Sequence, residues 1–328
     1  MSDAPNFTHL LVLPRLNVQN ANAISSPLTH GFPSITAFIG LMWALERKTR
    51  AAGLDVAFQG IGVVCHRHQE QTTEGGYTKA FHLTRNPAAK DGSTAAIVEE
   101  GRIHIEVSLI LAVTSDRWQR DAKAQQDDTE TIQQFIAAMR IAGGSVMPPD
   151  SPWLPRYQPQ VVDLTGNEAD RLDAFRKLRL RLVPGFTLVS RDDLITQRHD
   201  ALAAEDANAT RLDAWLSLSR INWRYNDDEH KWQHDRRGLG WVVPIPVGYG
   251  ALGDVHPGGD VVNARDPDTP FRFAESLYSM GQWISPHRLE QAEQLIWYAQ
   301  TRPDDGLYRC CNDYRPIDDP FEALYDFD

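Results

Sequence analysis

Between residues 10 and 40, an apolar run gives way to a cluster of amide and hydroxyl side chains, and an amphipathic helix pattern follows at once. Residues 7–13 are mostly apolar, which is typical of a strand buried on both faces. In residues 34–50 the apolar side chains recur at helical spacing behind Ser34, a good N-cap, and Gly53 ends the pattern. The chain therefore begins with a buried strand and a helix, and polar side chains are gathered between them.

The polar cluster has the chemistry of a reader of nucleobases, sugars or backbone groups. Asn17, Gln19, Asn20 and Asn22 each carry a donor and an acceptor without charge. Arg15 adds a guanidinium fork that suits a phosphate or the edge of a base. Asn and Ser also build turns and caps by bonding to nearby backbone, so a structural role stays open for each of them. Four amides within six positions favour a binding role.

The bulk composition indicates a globular protein. With 328 residues, 42% of them hydrophobic and 23% charged, the chain can bury the core of one large domain or two ordinary ones. It shows no signal-peptide pattern and no apolar run long enough to cross a bilayer, so we expect a cytoplasmic protein without a membrane partner. The three cysteines, Cys65, Cys310 and Cys311, match neither a disulfide framework nor a zinc site, and we expect reduced thiols.

Charge is segregated along the chain. The net charge of -11 argues against nucleic acid at first, because polyanion binding depends on lysine and arginine. Residues 304–328, however, hold eight acids against two arginines, and this acidic tail accounts for -6 of the total. Residues 171–198 hold seven cations against three acids. Such segregation permits a basic binding face on an acidic protein.

The first half of the chain predicts a small α+β domain. Strand patterns at residues 56–65 and 103–113 follow the first helix, and a helix pattern at 129–141 ends at a glycine pair. With a fourth strand after Gly144, the order becomes strand, helix, strand, strand, helix, strand. This is the ferredoxin-like arrangement that RNA-recognition folds use.

A long insertion separates the second and third predicted strands. Residues 66–101 are polar, contain glycine and predict a protruding β-hairpin. Tyr77, Phe81, His82 and Arg85 favour a function, because aromatic rings and guanidinium groups stack on bases. An ordinary lid or edge hairpin is the alternative. We assign residues 1–165 to the core with its insertion.

The second half, residues 166–328, predicts a mixture of helices and strands packed on the core, with a polar and mobile segment at 227–237 and the acidic tail at 304–328. The expected helices cover residues 170–182, 207–221, 271–282 and 286–300, and the expected strands cover 186–189 and 241–247.

Catalytic patterns are absent from the sequence. His66 and His68 could share a metal, but no third ligand lies nearby, and a polar or RNA-contacting pair is the more common outcome. The one glycine pattern of the dinucleotide type, at residues 248–253, lacks a following helix pattern, and no phosphate-cradling or nucleophile-elbow motif occurs. Metal-free ribonucleases with this fold use a histidine, yet no histidine here has a recognisable partner in the sequence. We expect no catalytic residue, metal or cofactor.

Several longer blocks of the sequence resemble one known family. They are LVLPRLNVQNANAISSPLTHGFPS, VCHR, LTRNP with DGSTAAIVEEGR, MRIAGGS, LVPGFTLVSR, WVVPIPVGY, NARD and SPHR. Together they resemble the Csy-two family, the Cas-five-like subunit of type I-F CRISPR surveillance complexes, over residues 10–309.

The resemblance implies a non-catalytic subunit with an RNA-recognition core of the repeat-associated (RAMP) type and a thumb-like hairpin. Such subunits pair with the large subunit, cap one end of the filament of backbone-forming subunits and hold the 5′ handle of the guide CRISPR RNA. The assembled particle then finds target DNA by guide pairing, while its proteins hold shape and backbone.

The resemblance and the polar cluster together predict RNA contacts at the end of the first strand, in the MRIAGGSV segment and on the thumb. The predicted RNA-binding residues are Arg15, Asn17, Asn20, Asn22, His66, Arg67, Tyr77, Phe81, Arg85, Arg140 and Ser145. Two other hypotheses stay open at this point: a metal-independent endoribonuclease that processes repeat RNA, and a protein-only assembly factor.

Overall fold

The computed structural model describes residues 5–85, 88, 91–149, 151–264 and 266–316. Its strands are β1 (His9–Asn22), β2 (Ile24–Ser26), β3 (Thr29–His30), β4 (Ala57–Glu70), β5 (Thr72–Gly75), β6 (Thr78–Phe81), β7 (Leu83–Arg85), β8 (Ile97–Glu99), β9 (Arg102–Thr114), β10 (Arg140–Ile141), β11 (Gly144–Met147), β12 (Gln160–Asp163), β13 (Phe186–Ser190), β14 (Trp223–Asn226), β15 (Lys231–His234), β16 (Trp241–Ala251), β17 (Ala274–Ile284), β18 (Trp297–Arg302) and β19 (Leu307–Asn312). Its α-helices are α1 (Ile35–Ala51), α2 (Asp116–Arg120), α3 (Ala122–Ala138), α4 (Glu168–Arg181), α5 (Asp192–Glu205) and α6 (Arg211–Leu218). Short 3-10 turns occur at Pro155–Tyr157, Pro286–Arg288 and Ala292–Leu295. The protein is therefore α+β, as predicted.

One antiparallel sheet of eleven strands runs through the molecule in the order β10, β11, β1, β9, β4, β13, β17, β16, β19, β18, with β12 paired beside β11 on β1. β18 returns to β4, where Trp297 lies opposite Ile61. The strands from β4 to β18 thus form a closed ring, which leaves fewer strand edges exposed. Because β13 pairs with β4, strands of both halves share this sheet, and the division at residue 165 stays a prediction.

The first half follows the predicted element order: β1, α1, β4, β9, α3 and β11, with the four strands arranged as β11, β1, β9, β4. Helices α1 and α3 cover one face of these strands, where Leu11 and Leu13 lie in the main core. On the other face, Leu10 and Val12 pack in a second core with Phe175 of α4. Helix α4 and this second core reach only the first part of β1. The later part of β1 is therefore covered on one face alone.

The first strand is longer than predicted. The sequence predicted a strand over residues 7–13 and then a polar loop, but β1 continues to Asn22 through the whole amide cluster. The physical reason is the alternation in this part, where Asn17 and Gln19 are exposed while Val18 between them is buried. Such alternation fits a sheet with one solvated face. β4 and β9 likewise extend beyond the predicted residues 56–65 and 103–113.

The two helices predicted over residues 271–282 and 286–300 are wrong. Strand β17 occupies the first segment and pairs with β13 on one side and with β16 on the other. The second segment contains only two 3-10 turns before β18 begins. There, the buried Trp297 donates from Nε1 to the carbonyl of Leu188 at 2.8 Å. Pairing with neighbouring strands outweighs the helical spacing of the apolar residues in both segments.

Other boundaries also moved. The helix predicted at 129–141 begins at Ala122, because the carboxylate of Asp121 accepts from the N–H groups of Lys123 and Ala124. The helix predicted at 207–221 is limited to α6, and the segment predicted to be mobile at 227–237 contains the hairpin strand β15. Helices α1 and α4 and strands β13 and β16 confirm their predictions. Residues 317–328 of the acidic tail lie outside the described residues.

Two strand pairs occupy the insertion. β5 pairs with β6 and β7 with β8, so the insertion contains two hairpins where the sequence predicted one, and its first residues, 66–70, belong to β4. The predicted turn between β7 and β8 includes residues 86, 87, 89 and 90, which lie outside the described residues. In the part of the chain that is described, no helix is long and apolar enough to cross a membrane.

Candidate nucleic-acid interface

The second part of β1 carries polar side chains on the face that no helix covers. Cross-strand register places Asn17 between Glu106 of β9 and Met147 of β11, and Gln19 opposite Ser145 of β11. Directly opposite residues of a sheet point to the same face, so these side chains lie side by side. Neither amide has a side-chain hydrogen bond to another described residue, which leaves both groups available to a ligand.

Strands β4 and β10 extend this row. On β4, Arg67 lies opposite Glu106 and Gln69 opposite His104, while Arg140 of β10 lies opposite Ser145. We call this surface the open face; it comprises Asn17, Gln19, Arg67, Gln69, His104, Glu106, Arg140 and Ser145. Four of the predicted RNA-binding residues, Asn17, Arg67, Arg140 and Ser145, are therefore brought together on one face of the sheet.

Two bulges shape β1 beside the open face. Arg15 (φ 50°) and Asn20 (φ 57°) adopt left-handed backbone conformations at the two places where the pairing with β9 slips. Each slip frees a backbone N–H, and a side chain of β9 accepts it: Arg15 donates to Ser108 Oγ at 3.0 Å and Asn20 to His104 Nδ1 at 3.1 Å. The bulges are thus fixed parts of the strand, and they set where its second part points.

The cations of the site differ in their partners. The guanidinium of Arg15 is bound to Glu106, with 2.7 Å between Nη1 and Oε1. Arg67 is exposed and makes no ion pair with any described residue. Arg140 donates to the carbonyl of Gly143 at 3.1 Å and likewise has no acidic partner among the described residues. Arg67 and Arg140 are therefore the cations that can meet a phosphate without breaking an existing ion pair.

His66 is held by two hydrogen bonds at the inner end of the open face. Its Nδ1 donates to the carbonyl of Pro184 and its Nε2 therefore accepts from the hydroxyl of Ser108, both at 2.7 Å. Burial lowers the pKa of His66, and the guanidinium of Arg15 adds to that effect. The ring is thus neutral at pH 7 with both nitrogens engaged inside the chain.

The turn between β10 and β11 packs tightly against β1. Ala142 (φ 47°) and Gly143 (φ 79°) form the turn, and Gly144 follows. A Cβ on Gly144 would come within 2.7 Å of the carbonyl oxygen of Gln19, a backbone atom that cannot move freely. The close approach of β1 therefore requires a residue without a side chain at Gly144, and the RNA contacts predicted for this segment stay a prediction.

The remaining amide of the cluster has a structural role. The side chain of Asn22 accepts from the N–H of Ile24 at 3.2 Å and donates to the carbonyl of Ile24 at 2.8 Å. This local turn is the structural alternative that the sequence left open for each Asn. A contact of Asn22 with RNA stays a prediction.

The three predicted thumb residues lie in different surroundings. Tyr77, at the turn between β5 and β6, is fully exposed. Phe81 packs edge-on against His30 with 5.8 Å between ring centroids and contacts the main core, so it anchors the hairpin. Arg85 is exposed at the end of β7. Tyr77 and Arg85 are therefore available to a partner, and Phe81 is largely used by the fold.

Comparison with known proteins identifies the family. The sequence model described as "CRISPR-associated protein (Cas_Csy2)" matches residues 11–310. "CRISPR-associated protein Csy2" of Pseudomonas aeruginosa (strain UCBPP-PA14) is 46% identical over 311 residues, which cover 92% of this chain and 94% of that protein. The chain belongs to the Csy2 family. The resemblance seen in its sequence motifs is thereby confirmed.

Sequence reasoning predicted strand β9 of this Csy2-family protein but missed its two residues on the open face. His104 and Glu106 of β9 stand between the buried Ile103, Ile105 and Val107. The alternation of polar and apolar residues in RIHIEVS was a usable signal, because it marks a strand with one solvated face. Their partners on β1 could not be identified before the register of the two strands was known.

Metal and thiol chemistry find no support in this family member. Within the described residues, no group of three or more His, Cys, Asp or Glu side chains is placed to hold a metal ion. His66 has both ring nitrogens engaged, by the carbonyl of Pro184 and the hydroxyl of Ser108, so the histidine pair of β4 does not offer a metal ion two available nitrogens. The three cysteines are free, and burial raises the pKa of Cys65 and of Cys310 to about 12. These thiols stay protonated at neutral pH.

Proposed function

We propose that this chain is a non-catalytic subunit of a type I-F CRISPR surveillance complex and holds the 5′ handle of the guide RNA on its open face. In this proposal the first half is a ferredoxin-like RNA-recognition core of the RAMP type, and the insertion acts as its thumb. The subunit pairs with the large subunit at one end of the backbone-forming subunits in the cytoplasm. Target DNA is met only through the assembled complex.

The observation that supports the proposal most is the half-covered sheet. Strands in the order β11, β1, β9, β4 are those of a ferredoxin-like core, and helices cover only one face of their polar half. Sheets of this kind bind single-stranded RNA on the uncovered face. The open face offers two guanidiniums that make no ion pair with any described residue, Arg67 and Arg140. It also offers two amides whose side chains bond to no described residue, Asn17 and Gln19. A sequence-constant handle can be read by both kinds of group.

A salt titration tests the phosphate contacts. Binding of handle-containing RNA is measured with the large subunit present, for the natural chain and for the double variant Arg67→Ala with Arg140→Ala. We expect the double variant to bind roughly 10- to 100-fold more weakly, because each guanidinium bonds to a phosphate. The slope of log affinity against log salt should become shallower by about 1.4, since each phosphate contact to a single strand contributes about 0.7.

The matched control replaces two exposed arginines outside the open face, Arg211→Ala with Arg224→Ala, and should leave both affinity and slope unchanged. A natural chain whose affinity does not depend on salt would contradict the proposal and favour the protein-only assembly factor.

The endoribonuclease hypothesis is tested by incubation of the purified chain with repeat RNA. We expect the RNA to stay intact, because the buried hydroxyl of Ser108 occupies Nε2 of His66 and an RNA hydroxyl would first have to displace it. Cleavage that disappears in the variant His66→Ala or His30→Ala would instead establish an enzyme.

A further inference from the structure

An aromatic cleft lies on the α1 side of the sheet. It is a cavity of about 400 Å³ between the loop that precedes α1, the end of β4 and the start of β16. Four phenyl or indole rings line it, those of Phe32, Phe186, Trp241 and Trp283. Phe32 and Trp283 are 4.9 Å apart between centroids, and Phe186 and Trp241 are 5.9 Å apart. Trp241 is 51% exposed and Phe186 46% exposed, so two of the rings are open to solvent.

An unpaired strand edge borders this cleft. β13 pairs with β4 only at Val64 and Cys65, and the chain then turns away at Pro184. Over residues 67–70, β4 pairs with β9 on one side, and no described strand pairs with its other side. Gln71 donates its N–H to the carbonyl of Arg102 on β9, so the backbone groups of the alternate residues His68 and Glu70 point to the unpaired side. Such an edge offers backbone donors and acceptors to an added strand.

The lining decides which class of molecule fits. No lysine or arginine lines the cleft among the described residues, and Glu70 is the carboxylate in its wall, held 3.2 Å from His30. A phosphate backbone would meet no cation there. An extended peptide uses both features, because its backbone pairs with the edge while alternate side chains enter the pocket beside it.

We propose that an extended segment of another protein subunit adds to β4 along residues 67–70 and inserts a large apolar side chain into the aromatic cleft. The inference rests on the proposed function only in naming the partner as a subunit of the same complex. It is compatible with RNA on the open face, because the added strand uses the backbone of β4 while the side chain of Arg67 stays on the other face. Trp241 is the main contact of the inserted side chain.

Amide hydrogen exchange tests the added strand. The full chain is measured alone, with guide RNA, and in the complex assembled with the large and backbone-forming subunits. We expect the amides of His68 and Glu70, whose N–H groups face the unpaired side of β4, to exchange at least tenfold more slowly in the assembled complex only. Protection by RNA alone would mean that RNA occupies the edge. Protection in the isolated chain would mean that the chain itself or a second copy covers it. Either result, or no protection in the complex, would overturn the inference.

A pair of tryptophan variants tests the cleft. Trp241→Ala should weaken the affinity of the chain for its partner subunit at least tenfold and leave its affinity for RNA unchanged. The control is Trp232→Ala, an equally exposed tryptophan on β15 that does not line the cleft, and it should change neither affinity by more than about twofold. Equal affinities for the subunit in both variants would refute the docking role of the cleft. Loss of salt-dependent RNA binding would refute the proposed function without affecting this result.

Discussion

The two ends of strands β1 and β9 differ sharply in what covers them. In β1, residues 9–13 are all buried, whereas residues 17–22 alternate between exposed and buried. In β9, residues 107–113 are buried, and residues 102–106 alternate. α4 covers the first end, and only the helices of the opposite face cover the second. One continuous strand is therefore core at one end and an open polar surface at the other.

The difference separates the residues that stabilise the fold from those that we propose bind RNA. A fully buried Leu or Ile contributes about 1.5–3 kcal/mol, so the doubly covered end holds most of the folding free energy per residue. The singly covered end has polar side chains whose removal costs the fold little. The bulge at Asn20 lies in this second part, and the bulge at Arg15 lies just before it. The polar residues of the open face can thus vary without loss of the sheet.

The largest expected effect is at the doubly covered end. Leu11→Ala removes a fully buried side chain from the main core and should lower the free energy of unfolding by about 2–5 kcal/mol, measured by urea titration. Asn17→Ala, six residues along the same strand, should lower it by less than about 0.5 kcal/mol. Similar losses in both variants would remove the distinction between the two ends.

The turn beside the open face should be an exception to this division. Gly144→Ala places a Cβ against the backbone of β1 and should cost about 1–3 kcal/mol of unfolding free energy. The control is Gly40→Ala in helix α1, where no atom lies within 4 Å of the new Cβ, and alanine should stabilise the helix by up to about 1 kcal/mol. If Gly144→Ala left the free energy of unfolding unchanged, that result would contradict the close packing of β11 against β1.

A smaller effect should appear in base recognition. The double variant Asn17→Ala with Gln19→Ala should bind handle-containing RNA about 5- to 10-fold more weakly than the natural chain does. Its loss of affinity for RNA with a scrambled handle should be smaller, because amides read base edges. Filter binding with both RNAs measures the difference, and Gln134→Ala on helix α3 is the control. Equal losses for both RNAs would mean that these amides contact only the RNA backbone.

Much of the architecture could be predicted from the sequence because local patterns carry it. The apolar spacing behind Ser34 and the alternation in residues 103–113 identified α1 and β9 with their types correct. β17 and β18 could not be predicted in the same way. Their apolar residues fit a helical period, and only pairing with other strands makes them extended: β17 pairs with the distant β13, and β18 pairs with the distant β4 and with β19, which follows it in a hairpin.

The sequence predicted which residue types the candidate site contains, but not how they are arranged or what they contact. The amide cluster was visible, but Asn17 and Asn22 could not be told apart until the local turn at Asn22 was seen. Arg15 and Arg67 likewise look alike in sequence, although only Arg15 is bound to Glu106. The difference between the two arginines arises from a contact across 91 residues of chain, which no local pattern records.

The smallest expected effect concerns His66, which stands where the two ends of β4 meet. Burial lowers its pKa below the ordinary value of 6.5, so the folded ring stays neutral at a pH where the unfolded one takes up a proton. The unfolded state therefore binds more protons, and stability should fall as pH decreases through about 6.5. We expect the free energy of unfolding, measured by urea titration between pH 7.5 and 5, to fall less steeply in the variant His66→Gln than in the natural chain. His9, whose pKa burial also lowers, is present in both proteins, and its contribution cancels in the comparison. Parallel profiles would show that His66 is as solvated as the exposed end of the strand, and the boundary between the two ends would then lie closer to Cys65.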